Sequence, residues 1–245
     1  MQNIITPGML SETSIFSPEK FIEWRRKKGA FNFDKLPKKV ILGLDKNIFS
    51  RQFSFFPKKV RGLSGYNYMH SEFVFCSMFM TGAPAVIELL EQLHALGVEE
   101  FIFIGLAGIL SDDIKTGDVF FIDKTLSGVG VTRYYSPDSM IVPYDINYCN
   151  DWGAKLNLRR MTCFSTDAPF RETPSLIAAA KENGCSLIEM ECAAIYAFAQ
   201  YYKLKAICLL VAADKAFEEW TPPSSKINLT LIQKELVNCI VKSSK

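Results

Sequence analysis

The sequence predicts an α/β fold: a single domain with a mixed, mostly parallel central sheet that is flanked by helices. Short apolar segments alternate along the chain with segments whose apolar residues recur at helical spacing. The apolar segments lack an inside–outside alternation, which is typical of strands buried on both faces of a parallel sheet. The chain of 245 residues is long enough for one large core, and no stretch has the composition of a linker.

The alternation starts at Lys39, so we expect one domain over 39–245 and an N-terminal extension, 1–38, that forms a helical arm. The best-marked element of the first half is a helix that begins near Pro84. Proline suits the first turn of a helix, and Gly97 suits its C-terminal cap. Strands are predicted on either side of this helix, at 40–44, 72–77, 101–104 and 119–122.

The second half repeats the alternation and ends on a helix. Gly184 closes a predicted helix over 175–183, and Asp214 follows the most apolar strand of this half. The remaining predicted elements are a strand at 186–189, a helix at 193–202, a strand at 206–211 and a last helix from about 225 to 241. Ligands of such sheets bind beyond the carboxyl ends of the strands. This rule points to 105–108, Met190–Glu191 and Asp214.

The composition excludes several classes of protein. A net charge of +2, from 28 basic and 26 acidic residues, argues against a nucleic-acid partner. The basic run 25–28 is expected to be the solvated face of a helix. No apolar segment approaches a membrane span of about 18 residues, and no signal peptide is visible, so we expect a cytoplasmic protein without a membrane partner. The seven cysteines lack C-x-x-C spacing and are expected to be reduced core residues.

Three acidic residues stand out because they interrupt or end apolar strands. Glu189 and Glu191 alternate at the end of a predicted strand, so their side chains are expected to face the same way. A buried carboxylate is costly unless it is hydrogen-bonded, which indicates a ligand site. The other interpretation is that Glu191 caps the helix that follows. Asp214 is either a site residue or a cap on the following turn.

No other catalytic or metal constellation can be assembled. The chain has two histidines, His70 and His94, and neither a Ser-His-Asp arrangement nor a His-rich metal site follows from them. The Gly-Val-Gly segment at 128–130 lacks the third glycine and the acidic residue of a dinucleotide-binding fingerprint. We therefore expect no metal and no cofactor.

Several segments, in order, resemble the nucleoside phosphorylase and nucleosidase superfamily, which includes purine nucleoside and uridine phosphorylases. The similarity runs from about Lys39 to Leu236. Its most specific part is Glu189-Met190-Glu191 followed by small residues, which looks like the ribose signature of the family. The other matching segments are Thr81-Gly82-Ala83-Pro84, 104–108, Gly117-Asp118-Val119, Gly130-Val131-Thr132, the base-site loop 165–173 and Ala213-Asp214. The resemblance implies the three-layer α/β fold of that family.

The resemblance also implies a role for individual residues. Glu191 would accept hydrogen bonds from the two ribose hydroxyls, with Met190 packed under the sugar and Glu189 as a weaker neighbour in the ribose site. A carboxylate there suits the positive charge of an oxocarbenium-like sugar. Asp214 would be the general acid that protonates a purine at N7, which favours a purine-type base. The base site would comprise Phe170 (or Pro169, after a shift of one residue in the loop), Ala107, Gly108 and Thr166.

The phosphate site of the family does not carry over. Asn47 stands roughly where the first loop of phosphorylases has an arginine, and Phe103 and Leu106 stand where the central strand has an arginine and a hydroxyl. Apolar side chains cannot neutralise a phosphate dianion, for which the arginine fork is the usual partner. The candidates for phosphate binding are Gly43 and the cations Lys46, Arg61, Arg133 and Arg171, some of them from a neighbouring subunit.

Three functions follow. Phosphorolysis of a purine-type nucleoside to free base and ribose 1-phosphate, with phosphate as co-substrate, is placed first because the whole pattern matches phosphorylases. Hydrolysis is the alternative, although the glutamate that positions water in hydrolytic relatives is missing after Gly43. A binding or storage relative without catalysis is the third, and the presence of Asp214 and Glu191 argues against it. The resemblance further implies a role in purine salvage and a homo-oligomer, because sites of the family lie at subunit contacts.

Overall fold

The computed structural model describes residues 5–49, 57–70, 72–78 and 80–244. The described chain forms one 10-stranded sheet and six α-helices. The strands are β1 (Lys39–Gly43), β2 (Lys58–Val60), β3 (Tyr66–His70), β4 (Phe73–Ser77), β5 (Glu100–Ile109), β6 (Val119–Gly128), β7 (Met140–Ile141), β8 (Arg159–Thr166), β9 (Leu187–Glu189) and β10 (Lys205–Lys215). The helices are α1 (Pro18–Lys27), α2 (Ala83–Ala95), α3 (Ile146–Lys155), α4 (Pro174–Glu182), α5 (Cys192–Tyr202) and α6 (Leu229–Ser243).

The sheet has a closed part and an open part. β5 pairs with both β10 and β9, and the order β10-β6-β8-β9 links those two strands, so the five strands close into a small barrel. β1, β4, β3 and β2 continue from β5 as an open wing. β4, β1, β5 and β10 run parallel, whereas the β2–β3–β4 edge and the pairs β5–β9 and β6–β10 are antiparallel. The prediction of a mixed α/β sheet flanked by helices is confirmed.

Helices cover both faces of the sheet because its central strands are apolar on both sides. In β5, Phe101 and Phe103 belong to the apolar cluster under α2 and α5, while Ile102 and Ile104 belong to the cluster under α3 and α6. Successive side chains of a strand point to opposite faces, so this split requires a continuous apolar run. α5 is buried from residue 192 to residue 199, which explains why its sequence is apolar on all sides.

Most predicted elements are confirmed, and the differences lie mainly at their ends. β5 and β6 continue beyond the predicted ends at 104 and 122, and β10 includes Asp214 instead of ending before it. The last helix begins at Leu229, because the side chain of Asn228 caps it by accepting a hydrogen bond from the Leu231 N–H. β2, β3, β7, β8 and α3 had no prediction. β8 was not predicted because it begins with exposed polar residues, although its second half is buried.

The N-terminal extension contributes α1 and part of the core. α1 confirms the predicted helix, and the basic residues Arg26, Lys27 and Lys28 at its end are exposed, as expected of a solvated face. Phe33 and Leu36 are buried in the same cluster as the sheet, so this segment packs on the domain. The division at residue 38 stays a prediction. None of the described helices has the length and apolar character needed to cross a membrane.

The cysteines are free thiols. The prediction of reduced core residues is confirmed for Cys76, Cys149, Cys163, Cys185, Cys192 and Cys208, which are buried. It is wrong for Cys239, which is exposed on α6. The neighbouring Ile240 is the residue that faces the core, so Cys239 is rotated away from it.

Candidate active site

A cavity of about 920 Å³ opens where the last residues of β5 and β10 meet the turn between β9 and α5. Five residues predicted for the site line it: Gly108, Phe170, Glu189, Met190 and Asp214. Glu191, the predicted ribose ligand, is buried and is not among the described lining residues. The lining residues without a predicted role include Glu172, Lys181, Phe217 and Trp220. The structure thus brings predicted ribose and base residues from separate chain segments to one place.

The strands reach this cavity in a different way from the predicted one. β5 and β10 are parallel, and their register runs to Ile109 opposite Lys215, so their carboxyl ends meet there. β9 is antiparallel to β5, with Ile188 opposite Gly108. Met190 therefore enters the cavity from the turn after β9, beside the last residues of β5, and 105–108 lie inside β5 instead of following it.

Glu191 is held inside the protein by the segment between β4 and α2. Its carboxylate is buried, and Oε1 accepts a hydrogen bond of 2.5 Å from the backbone N–H of Gly82. Gly82 has a φ of +98°, which favours glycine, and a Cβ at this position would lie 3.7 Å from Cε of Met190. Burial, together with the charge of Glu189, raises the pKa of Glu191 to about 7. The Thr81-Gly82-Ala83-Pro84 segment and the Glu189-Met190-Glu191 segment, which are distant in the sequence, therefore meet at the Glu191 carboxylate.

Glu189 is the carboxylate that caps α5. Its Oε2 accepts hydrogen bonds from the N–H groups of Glu191, at 2.6 Å, and Cys192, at 2.8 Å. Its Oε1 accepts one from the hydroxyl of Ser165, whose oxygen in turn accepts a bond of 2.9 Å from the N–H of Ala193. The alternative that Glu191 caps this helix holds for its position, because Glu191 is the N-cap residue of α5, but its side chain makes no capping hydrogen bond. Burial raises the pKa of Glu189, against the lowering effect of these hydrogen bonds.

The two glutamates also differ in backbone conformation. β9 ends at Glu189, and Glu191 is the N-cap residue of α5 with φ of −128° and ψ of −35°. The expectation that both side chains face the same way assumed one strand through both residues, and that strand does not extend to Glu191. Their different backbone conformations are what allow one carboxylate to cap the helix and the other to bond with Gly82.

Asp214 lines the part of the cavity next to Phe170, which the resemblance assigns to the base and which is called the base end below, and a second carboxyl group lines it too. It is half-buried in β10, and its Oδ2 accepts a hydrogen bond of 2.7 Å from the indole N–H of Trp220. Asp214 therefore accepts its hydrogen bond from a side chain, whereas a cap on the following turn would accept one from a backbone N–H. Burial, together with the charge of Asp214, raises the pKa of Glu172 to about 6. The sequence analysis missed both partners: Glu172 stood inside the base-site loop, whereas no signal in the sequence linked Trp220 to Asp214.

Phe170 presents an aromatic ring at the rim of the cavity. It lies in a short 3-10 helix, Pro169–Arg171, and its side chain is 99% exposed. A planar base can stack on such a ring, because offset stacking places two π-systems face to face. Pro169 lines the cavity as well, so the structure brings both residues considered for this role to the base end.

The other predicted base residues differ in how they meet the cavity. Gly108 lines its wall, and a Cβ there would come within 2.9 Å of both Ala216 and Ile188, so a side chain would require these residues to move. Ala107 and Thr166 are buried and are not among the described lining residues. The direct contact of Ala107 and Thr166 with a base stays a prediction.

The end of β1, where phosphorylases bind phosphate, is filled by an apolar side chain. Buried Ile48 occupies the space in which a Cβ of Gly43 would lie. The loop between them is closed by Asp45, which accepts hydrogen bonds from the Asn47 N–H, at 2.8 Å, and from the Thr230 hydroxyl of α6, at 2.9 Å. Gly43 is not among the described residues that line the cavity.

The candidate cations for phosphate are not brought together. Arg61 follows the edge strand β2, Arg133 borders a separate cavity beyond β6, and Arg171 lies in the base-site loop. None of these three is among the described lining residues of the 920 Å³ cavity. On β5, Phe103 is buried and Leu106 is 38% exposed. Phosphate binding by these arginines stays a prediction.

A buried group of possible metal ligands lies behind Glu189. The Sγ atoms of Cys163 and Cys192 and one Glu189 oxygen lie within 4.8 Å of one another. Burial raises the pKa of Cys163 to about 11 and that of Cys192 well above its ordinary value, so both are thiols at neutral pH. Thiolates are the metal-binding form, and the Glu189 oxygens already hold α5. We therefore assign no metal to this cluster.

Known proteins share both sequence and fold with this chain. The chain is 28% identical over 133 residues to an uncharacterized protein of Acanthamoeba polyphaga mimivirus, a match that covers 54% of this chain and 53% of the relative. It is 25% identical over 143 residues to a DeoD-type purine nucleoside phosphorylase of Bacillus cytotoxicus, covering 56% of this chain and 61% of the relative. The matches therefore span a little more than half the length of these curated relatives.

A solved structure with a similar fold is a 5'-methylthioadenosine/S-adenosyl homocysteine nucleosidase of Campylobacter jejuni. The TM-score is 0.65 at 17% sequence identity, and the match covers 85% of this chain and 98% of that chain. This similarity shows the shared fold. The family model of the phosphorylase superfamily matches residues 51–241, which is most of the chain. The chain belongs to the phosphorylase superfamily.

Proposed function

We propose that the protein cleaves the N-glycosidic bond of a purine-type nucleoside and releases the free base. The observation that carries this proposal is the meeting of Glu189, Met190 and Asp214 at one cavity, with the buried carboxylate of Glu191 directly behind Met190 in the chain. Its volume of about 920 Å³ lies within the range of small-molecule pockets, roughly 300–1,000 Å³. The names of the Bacillus and Campylobacter proteins, which concern purine nucleosides and adenosine derivatives, support the same class of substrate.

At the sugar end, we assign the ribose hydroxyls to Glu191. An ionised carboxylate has about four acceptor positions, so a hydrogen bond from Gly82 leaves room for two hydroxyl donors. Met190 lies beside Gly82 and would pack against the sugar ring. A carboxylate in this buried place also stabilises the positive charge that develops on the sugar as the bond breaks.

Glu189 acts as a positioning residue in this proposal. The sequence analysis gave it a weaker place in the ribose site, yet both of its oxygens accept hydrogen bonds from the protein, from Ser165 and from the first turn of α5. These bonds fix the backbone of Glu191 and thereby the direction of its carboxylate. Glu189 thus supports ribose binding through Glu191.

The β1 end supports water more strongly than phosphate as the nucleophile. A phosphate dianion needs several fixed cations or N–H donors. Ile48 fills the space beside Gly43, and Lys181 is the one cation among the described lining residues. Lys181 lies at the base end, 4.8 Å from the ring of Phe217. Hydrolysis is therefore the reaction that the geometry favours.

Phosphorolysis to ribose 1-phosphate is the second candidate. The phosphorylase names of the Bacillus relatives favour it, and a homo-oligomer in which a neighbouring subunit supplies an arginine would meet its electrostatic need. A pocket that binds nucleosides without cleaving them is the third. The half-buried carboxyl groups of Asp214 and Glu172 argue against it, because binding alone does not require acids at the base end.

The experiment is base release from a panel of purine and pyrimidine nucleosides, with and without phosphate, followed by identification of the sugar product. Release of purine with free ribose, equal in both buffers, is the expected result. Release that requires phosphate and yields ribose 1-phosphate would replace hydrolysis by phosphorolysis. No release from any nucleoside would overturn the proposed cleavage. Glu182→Gln, on the exposed end of α4, is the control for nonspecific effects of removing a carboxylate.

A further inference from the structure

The carboxyl group of Asp214 is held by a side chain that the proposed reaction has not used. The indole N–H of Trp220 donates a hydrogen bond of 2.7 Å to Oδ2 of Asp214, and both side chains line the cavity. Oδ1 of Asp214 accepts no hydrogen bond from the part of the chain that the structure describes. One oxygen is therefore fixed by the protein, and the other is left for a ligand.

The backbone after β10 brings Trp220 back beside Asp214. Lys215 and Thr221 exchange two backbone hydrogen bonds, of 2.9 and 3.1 Å, and form an antiparallel bridge. The residues that precede the two bridged positions lie on the other face of this pair, so Asp214 and Trp220 share one face as diagonal neighbours, within reach of an aromatic side chain. Pro222 follows Thr221 and favours the extended backbone that the bridge requires.

The loop between the bridged residues is anchored without the help of the indole. Phe217 is buried in the apolar cluster of the sheet, and the Ala216 N–H donates a hydrogen bond of 2.9 Å to the Ile109 carbonyl of β5. Glu218 has a φ of +58°, at which the chain turns back. The ring of Trp220 is 65% exposed, so it adds little burial to the fold. Replacing this side chain should therefore leave the loop in place.

The hydrogen bond from Trp220 distinguishes the two oxygens of Asp214. An indole nitrogen can only donate, so Oδ2 stays an acceptor and a proton on Asp214 is carried by Oδ1. When that proton leaves, the negative charge on the carboxylate is stabilised by the indole N–H. A base that fills the cavity excludes water from this bond and thereby strengthens it.

We propose that Trp220 is a positioning residue for Asp214: its indole N–H holds Oδ2, so that Oδ1 presents the proton to the leaving base. The inference rests on the proposed function and on the acid role that the resemblance implies for Asp214. As the C1′–N bond breaks, its electron pair passes to the base, and a ring nitrogen of the base takes the proton from Oδ1. The water that attacks C1′ then returns a proton to Asp214.

The first test needs no substrate. The chain has three tryptophans, Trp24, Trp152 and Trp220, and Trp220→Phe identifies the indole N–H signal of Trp220 in a proton–nitrogen NMR spectrum. Asp214→Ala removes the acceptor, so it should move this signal upfield and speed its exchange with water. Glu219→Gln, which removes an exposed carboxylate next to Trp220, should leave the signal unchanged. A signal that does not respond to Asp214→Ala overturns the pairing.

The second test is a double-mutant cycle on base release. Asp214→Asn removes the proton donor and should lower kcat about 10²-fold or more. Trp220→Phe keeps an aromatic ring and removes the N–H, so kcat should fall about tenfold while KM changes by less than about twofold. In the Asp214→Asn background, Trp220→Phe should cause no further loss, because its effect passes through Asp214. Trp24→Phe, on the exposed side of α1, is the control and should keep wild-type kinetics.

The outcomes separate the two proposals. An active wild type in which Trp220→Phe keeps kcat, or lowers it equally in both backgrounds, overturns the positioning role and leaves the proposed function intact. An active Asp214→Asn with wild-type kcat does the same, because there is then no acid to position. A wild type that shows the bonded indole signal but releases no base overturns the proposed function and the positioning role with it. A loss of kcat in Trp220→Phe that requires Asp214 supports the positioning role.

Discussion

The sugar and base end of the cavity and the β1 end are built on opposite principles. At the first, polar groups are buried and interlocked: Gly82 bonds to Glu191, and Ser165 bonds to Glu189. At the second, Ile48 fills the space beside Gly43, and the polar side chain of Asp45 bonds to its own loop and to α6. Both regions lie at the ends of strands of one sheet, yet among the described residues of these two regions only the first has buried carboxylates next to the cavity.

This difference indicates which end is shaped by a ligand. Burial raises the pKa of both Glu189 and Glu191, so keeping these carboxylates inside is costly for the fold. Such a cost is typical of a functional site, where groups are retained for what they bind. The β1 end bears no comparable cost, because its apolar side chains stabilise the folded chain. The contrast can be tested from the strongest expected effect to the weakest.

The largest effect is expected from Glu191→Gln. The glutamine keeps the size of the side chain and an oxygen for the Gly82 N–H, but it removes the charge that the proposed function assigns to the sugar. Since hydrogen bonds to charged groups contribute about 1.5–3 kcal/mol each and the developing sugar cation loses its counter-charge, kcat/KM should fall about 10³-fold. Steady-state kinetics of base release measure this. A loss of less than tenfold would contradict the role of Glu191 as the ribose ligand.

Glu191→Gln should make the folded protein more stable, although it lowers the activity. Glu191 has a folded pKa of about 7, above its ordinary value of 4.5, so its contribution to stability is present at low pH and is lost as pH rises through 7. This difference corresponds to about 3 kcal/mol in the free energy of unfolding. Glu191→Gln should therefore be more stable than the wild type at pH 8, by up to about 3 kcal/mol, and similar at pH 5. Urea unfolding of the wild type and of Glu191→Gln at both pH values measures the difference. Equal stability of the two proteins at pH 8 would contradict the raised pKa of Glu191.

An intermediate effect is expected from Ser165→Ala. The change removes the hydroxyl that donates to Glu189 and leaves the N–H of Ala193 without its acceptor. An unsatisfied buried group costs about 1–3 kcal/mol, so the free energy of unfolding should fall by about 2 kcal/mol. Ser224→Ala, at an exposed site where the hydroxyl accepts only from Lys226, is the matched control and should change stability by less than about 0.5 kcal/mol. Equal losses in both variants would show that Ser165 is not part of an interlocked network.

The smallest effect is expected from phosphate. A ligand that binds only the folded protein raises the melting temperature, and a protein without a phosphate site gains nothing beyond the effect of salt. Because Ile48 fills the β1 end, phosphate should shift the melting temperature by no more than about 1 °C relative to chloride at equal ionic strength. Thermal unfolding in the two buffers measures the shift. A rise of several degrees would place a phosphate site on the protein and favour phosphorolysis.

The sequence was most informative where local pattern and packing agree. The apolar run 101–104 predicted a strand buried on both faces, and Pro84 and Gly97 marked the two ends of α2, because burial and capping leave their signals in neighbouring residues. Glu189 and Asp214 stood out because charged residues interrupt apolar strands. β8 was missed because its first residues are exposed, although its second half carries Ser165.

What the sequence by itself determined is the alternation of strands and helices, the resemblance of the segments that carry the acids to those of the phosphorylase superfamily and the apolar residues at the expected phosphate positions. The tertiary structure decided the roles within the site. In the folded chain, the side chain of Glu189 caps α5 and the N–H of Gly82 donates to Glu191. The indole N–H of Trp220 donates to Asp214, and Ile48 lies beside Gly43. The physical reason is that a carboxylate's protonation and direction depend on its donors, its burial and nearby charges, and most of these come from distant segments of the chain.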